Sequence, residues 1–200
     1  MTGRPVYYGS QRMIQFKALN FPLFFTLVRL VLSPLLLPLL IVWFLPLHNF
    51  FITSLIAALF FFFGLTDFLD GYLARKYQQE THLGKLLDPI ADKFFMFSTF
   101  IALLAIGHIY FYWVIILIGR EFFMMSLREI ALTYGKNIAV SWWGKLKTTV
   151  QMLLCFLLIL QPVQPSLVWQ LGEKSVLYST LFLTIYSAYI YYFDFINAEK

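Results

Sequence analysis

Apolar residues run in long unbroken stretches along this chain, interrupted by short clusters of polar and turn-forming residues. Six stretches stand out, at 22–45, 50–74, 88–107, 110–134, 146–161 and 174–193. Each is near the ~20 residues that a helix needs to cross a bilayer. Strands of a membrane barrel would alternate apolar and polar positions, and these runs do not. The breaks carry turn residues: Pro46 and Asn49 in 45–50, Gly107 and His108, then Pro162, Pro165 and Gly172 in 162–173. The expected fold class is therefore an all-α integral membrane protein with six transmembrane helices. There is no internal repeat and no low-complexity tract, so residues 1–200 are expected to form a single domain.

Composition agrees with the pattern. The chain has 200 residues, 60% of them hydrophobic and 12% charged. A soluble domain carries about twice that charge. A soluble enzyme, a disordered chain and a secreted disulfide scaffold are excluded. The single cysteine, Cys155, lies within an apolar run. The first 20 residues lack the continuous apolar core of a cleavable signal peptide.

Basic residues set the expected orientation. Arg4, Arg12 and Lys17 precede the first span. Arg75, Lys76 and Lys85 surround the second connection, and Lys136, Lys145 and Lys147 the fourth. The loops at 45–50 and 107–110 have no Lys or Arg, and only Lys174 lies near the remaining one. The positive-inside rule then puts both termini, and the 75–87 and 135–147 loops, in the cytoplasm. Residues 5–17 mix aromatic, apolar and basic positions. They fit either an N-terminal interfacial helix or a polar tail, so 1–20 is a cytoplasmic or interfacial segment. The net charge of +5 points to anionic lipid, with no nucleic-acid partner.

Four of the five aspartates fall within residues 67–92, at the cytoplasmic ends of the second and third spans. A carboxylate deep in a bilayer costs about 2.5–3.5 kcal/mol or more. Asp67 and Asp70 are three apart and share a helix face with Gly71 and Ala74. Asp88 and Asp92 are four apart on the next helix, with Gly84 one turn earlier. A short connection makes these helices antiparallel neighbours, so the pairs converge. Clustered carboxylates without Cys or His suit Mg²⁺, Mn²⁺ or Ca²⁺. Four of them suit a two-metal site for phosphoryl transfer. The bland reading is a polar cap in which Arg75, Lys76, Lys85 and Lys93 pair with the aspartates. A cation transporter would spread its acids across membrane depth, whereas these sit at one end.

The spacing Asp67-x-x-Asp70-Gly71-x-x-Ala74-Arg75, eight residues, Gly84, three residues, Asp88, three residues, Asp92 resembles the signature of the CDP-alcohol phosphotransferase family. The resemblance implies a six-span membrane enzyme, a homodimer, that transfers a phosphate-linked group from a CDP-alcohol to an acceptor alcohol with release of CMP. It implies two divalent cations, Mg²⁺ or Mn²⁺, held by Asp67, Asp70 and Asp88 together with Asp92. It makes Asp92 the base, and it places Gly71, Ala74, Arg75 and Gly84 at the nucleotide.

Further stretches resemble the branch of that family that uses CDP-diacylglycerol and glycerol 3-phosphate. They are Asp88-Pro-Ile-Ala-Asp92-Lys93, Arg120-Glu121, Arg128-Glu129 and Val140 to Thr148. The start from Asn20 and Pro22 to Arg29 is also similar, with Leu23 where that pattern has a second Asn; it adds Asn20 and Arg29 to the CDP-lipid site. Arg120, Arg128, Lys145 and Lys147 would hold the acceptor phosphate, since guanidinium forks match phosphate oxygens. Glu121 and Glu129 are alternative partners for these arginines. The branches that use phosphatidylglycerol or an inositol phosphate as acceptor are the nearest alternatives. The implied location is the bacterial inner membrane, with the site facing the cytoplasm. The tyrosine-rich run 189–192 is read as an interfacial belt.

Overall fold

The computed structural model describes the backbone of residues 21–76, 82–134 and 142–197, and the side chains of residues 32–66, 90, 93–134, 142–193, 195 and 196. Residues 1–20 and 135–141 lie outside this description, and with them Asn20 and the expected interfacial segment. The described residues form six α-helices and one short 3-10 turn, with no strand: α1 (Phe21–Phe44), the turn at Leu45–Leu47, α2 (Phe50–Lys76), α3 (His82–Ala105), α4 (Phe111–Thr133), α5 (Trp142–Ile159) and α6 (Leu167–Asn197). All six expected helices are present.

Two boundaries differ from the sequence reading. The third helix starts at His82, not at residue 88, so Pro89 lies inside it. Leu83, Leu86 and Leu87 continue the helical apolar pattern across that point, and the missing N–H of one proline does not break it. Likewise α1 runs through Pro34 and Pro38. The sixth helix starts at Leu167, so Gly172 belongs to the helix and not to a loop. Ser166 supplies the start: its Oγ accepts the Trp169 N–H at 3.3 Å.

Asn49 starts α2 in the same way. Its Oδ1 accepts the N–H groups of Phe51 at 3.0 Å and Ile52 at 3.3 Å. Replacing Asn49 by Ala is expected to cost about 1 kcal/mol. A thermal melt of the detergent-solubilised protein checks this, and an unchanged midpoint would remove Asn49 as a cap. At the tight α3–α4 connection Gly107 takes φ 78°, a conformation that glycine adopts without a Cβ penalty. The neighbouring His108 donates through Nδ1 to the Leu158 carbonyl at 2.7 Å, in the last turn of α5.

Packing joins the helices into one bundle. α1 packs most extensively on α3, and α5 on α6. The apolar core gathers Leu37, Ile56, Phe60, Phe100, Leu117 and Leu154 from the first five helices. Phe60 stacks on Phe95 with centroids 5.3 Å apart, and Phe63 meets the same ring edge-on at 6.4 Å. These contacts tie α2 to α3.

The distribution of polarity is inverted relative to a soluble bundle. Phe50, Phe51, Trp43 and Val168 are 71–85% exposed, whereas Glu121, Lys147, Gln151, Thr99, Thr180 and Thr184 are buried. The Thr99 and Thr180 hydroxyls donate back to the Phe95 and Val176 carbonyls of their own helices. An apolar exterior around a polar seam fits a lipid environment, where backbone and side-chain polar groups must find partners inside the protein. Among the described residues, one helix, Leu167–Phe193, is long and apolar enough to cross a membrane. Shorter apolar helical stretches occupy Leu32–Leu47, Phe50–Thr66 and Lys93–Ala105.

Candidate active site

The carboxylate motif occupies the end of α2 and the first half of α3. The side chains of Asp67, Asp70, Gly71, Ala74, Arg75, Gly84, Asp88 and Asp92, and of Arg29 in α1, lie outside the described ones. The backbone register still relates them. α2 and α3 are consecutive helices that meet at Phe63 and Phe95. In an antiparallel pair, four residues onward along α2 match about four residues back along α3. Asp67 then falls at the level of Asp92, and Asp70 at the level of Asp88. Both pairs lie on the helix faces that carry the two phenylalanines. As residue types, the four carboxylates of the motif are hard oxygen donors of the kind that suits Mg²⁺ or Mn²⁺. Among the described side chains no set of three or more His, Cys, Asp or Glu could hold a metal.

Beyond the motif along α2 and α3, inside the bundle, lies a cavity of about 350 Å³. Its wall includes Phe63 and Gly64 from α2, Lys93 and Phe95 from α3, Arg120, Glu121 and Arg128 from α4, Lys147 and Gln151 from α5, and Ser187 and Tyr191 from α6. A Cβ on Gly64 would meet the flexible end of the Met152 side chain of α5, which would have to shift to admit it.

Glu121 organises the cavity. Its Oε2 accepts from Lys93 Nζ at 2.6 Å, and its Oε1 accepts from Arg120 Nη1 at 3.1 Å and from Lys147 Nζ. Arg120 reaches onward to α6, donating through Nε to the Thr184 carbonyl at 3.2 Å and through Nη2 to Ser187 Oγ at 2.8 Å. The Ser187 hydroxyl in turn donates to the Thr184 carbonyl at 3.2 Å. One carboxylate thus gathers cations from α3, α4 and α5, and one of those cations fastens α6. Among the described residues, the charged ones of the wall are four cations, Lys93, Arg120, Arg128 and Lys147, and one acid, Glu121. The excess of positive charge, in a site walled by Phe95, Phe100 and Leu117, favours a multiply charged anion.

The acceptor-site expectations divide accordingly. Arg120 and Lys147 are half-buried and buried respectively, and both touch Glu121. Arg128 is exposed but lines the same cavity. Lys145 does not join them: it is exposed and lies off the cavity wall. The α-helix explains this, because residues two apart face in nearly opposite directions. Glu121 does partner Arg120, the alternative noted from sequence, but it also binds two lysines and leaves the cavity cationic.

Sequence reasoning treated Lys93 only as a salt-bridge partner for aspartates, and it passed over Gln151, Ser187 and Tyr191. The α6 signal was present. Thr180, Thr184, Ser187 and Tyr191 recur at intervals of four, three and four in an apolar helix, and all four are buried. Of the expected aromatic belt, Tyr189 and Tyr192 are outward-facing and Tyr191 is buried at 3% exposure.

An apolar-surfaced helical bundle with an aspartate motif beside an internal cationic cavity has the form of a membrane-embedded enzyme for phosphate-bearing substrates. The chain belongs to the CDP-alcohol phosphatidyltransferase family, whose profile matches residues 19–186. It is similar to the CDP-diacylglycerol–glycerol-3-phosphate 3-phosphatidyltransferase of Haemophilus influenzae, 45% identical over 141 residues, which is 67% of this chain and 72% of the relative. The protein of the same name from Pectobacterium atrosepticum is 37% identical over 189 residues, 90% of this chain and 95% of the relative. That from Rickettsia typhi is 33% identical over 174 residues, 86% of this chain and 95% of the relative.

Proposed function

We propose that this chain transfers the phosphatidyl group of CDP-diacylglycerol to glycerol 3-phosphate, giving phosphatidylglycerol phosphate and CMP in phospholipid synthesis. The observation that carries the reading is the cationic cavity whose wall continues α2 and α3 beyond the aspartate motif, in a chain related over most of its length to enzymes named for that reaction.

Lys147, Arg120 and Arg128 bind the acceptor phosphate, and Lys93 adds charge on the side nearest Asp92. Lys145 acts from outside the cavity, by drawing anions to the cytoplasmic face. Asp67, Asp70, Asp88 and Asp92 would hold two divalent cations, Mg²⁺ or Mn²⁺, whose charge offsets that of the pyrophosphate. Gly71, Ala74 and Gly84 leave room for the nucleotide, with Arg75, Asn20 and Arg29 as its polar contacts. Asp92 takes the proton of the terminal hydroxyl. The oxygen attacks the lipid-side phosphorus, the phosphoanhydride bond breaks, and CMP leaves. In this reading all six helices span a bacterial inner membrane, both termini and the site face the cytoplasm, the lipid donor enters from that leaflet, and the protein works as a homodimer.

The test is CMP release by the full chain in detergent with CDP-diacylglycerol and Mg²⁺ or Mn²⁺. Glycerol 3-phosphate should support release, and chelation of the metal should abolish it. Inositol 1-phosphate, phosphatidylglycerol and serine should not replace the acceptor. Preferential release with any of these three would overturn the acceptor assignment while leaving the family chemistry.

A further inference from the structure

Tyr191 is 3% exposed and forms part of the cavity wall, yet its hydroxyl has no hydrogen-bond partner among the described residues. A buried hydroxyl without a partner costs about 1–3 kcal/mol, so such a group calls for a partner, which water, an ion or a ligand can supply. The neighbouring wall residue on α6, Ser187, is already engaged: its hydroxyl receives Arg120 and donates to the Thr184 carbonyl. Tyr191 therefore offers a neutral donor and acceptor at this wall that no described group uses.

Its surroundings define what it can read. The side chain packs in an apolar cluster with Met124 and Leu127 of α4. A phosphate dianion has stronger partners in Lys147, Arg120 and Arg128. A neutral hydroxyl, which both gives and takes a hydrogen bond, is the matching group. We propose that Tyr191 is a specificity-determining residue whose phenol hydrogen-bonds the secondary hydroxyl of the acceptor, selecting a polyol phosphate over a simple hydroxyalkyl phosphate. The inference rests on the reading of glycerol 3-phosphate as acceptor and adds how that acceptor is recognised.

Tyr191→Phe isolates the interaction, because it removes only the unpartnered oxygen. The experiment measures kcat and KM of the full chain for glycerol 3-phosphate and for 3-hydroxypropyl phosphate, which lacks the secondary hydroxyl, together with the thermal midpoint. The native protein should prefer glycerol 3-phosphate about tenfold or more in kcat/KM. In the variant, KM for glycerol 3-phosphate should rise about tenfold, KM for the analogue should stay unchanged, and the midpoint should hold or rise.

Equal loss with both acceptors would mean a phosphate contact or a packing role, and no loss with either would mean no contact; both overturn the proposal. Lack of discrimination by the native protein overturns it without any variant. Absence of transfer to glycerol 3-phosphate in the native protein overturns the acceptor reading as well, which separates the two failures.

Discussion

Asp92→Asn should lower kcat for CMP release by about 10²–10⁴-fold, the usual contribution of a positioned general base. The amide keeps the size of the carboxylate but cannot take a proton. CDP-diacylglycerol binding should survive, because Asp67, Asp70 and Asp88 remain. The proposed mechanism gives Asp92 the part of the base. It stands on α3 immediately before Lys93, whose ammonium is tied to Glu121 in the cavity wall. Of the four aspartates it is the one closest in sequence to the cationic cavity. Two assays on one preparation read the result: CMP release, and retention of labelled CDP-diacylglycerol. Full turnover in the variant would remove Asp92 from that role. Loss of both binding and turnover would mean that holding the metals, and not proton transfer, is what the substitution removes first.

The second large effect is expected at Glu121. Glu121→Gln leaves Lys93, Arg120 and Lys147 close together without their shared counter-charge. Removing one partner from a buried ion network costs about 3–5 kcal/mol. The thermal midpoint in detergent should fall sharply, and activity with it. Lys147→Gln should behave differently. Glu121 keeps Lys93 and Arg120, so the fold holds, while KM for glycerol 3-phosphate rises by about 10–100-fold. The double variant should recover part of the stability lost in Glu121→Gln, because the remaining cations repel less. Additive losses in the double variant would show that Glu121 and Lys147 act independently, against the bond between them.

The helices were legible because each is a continuous apolar run, and lipid leaves few alternatives to helix. Their ends were less legible. Pro89 resembles a helix start in sequence, and only the leucines before it argue otherwise. Gly172 resembles a break, but the Ser166 cap and its apolar neighbours carry the helix past it. The aspartate motif was legible from spacing alone. The cavity was not, because it is made by residues from five helices that no local pattern encodes. Lys145 and Lys147 could have been separated in advance by the 3.6-residue period. Tyr191 was hidden inside a tyrosine-rich run whose other members do face outward.

The lattice of bonds around Glu121 also orders events in time. Its ligands come from α3, α4 and α5, and Arg120 then needs the Thr184 carbonyl and Ser187 of α6. A nascent chain made from its N-terminus carries the complete aspartate motif once α3 has emerged. It has no finished anion site until the last helix docks. In the proposed reading, the donor half of the site is therefore complete early in the chain and the acceptor half only with its last helix.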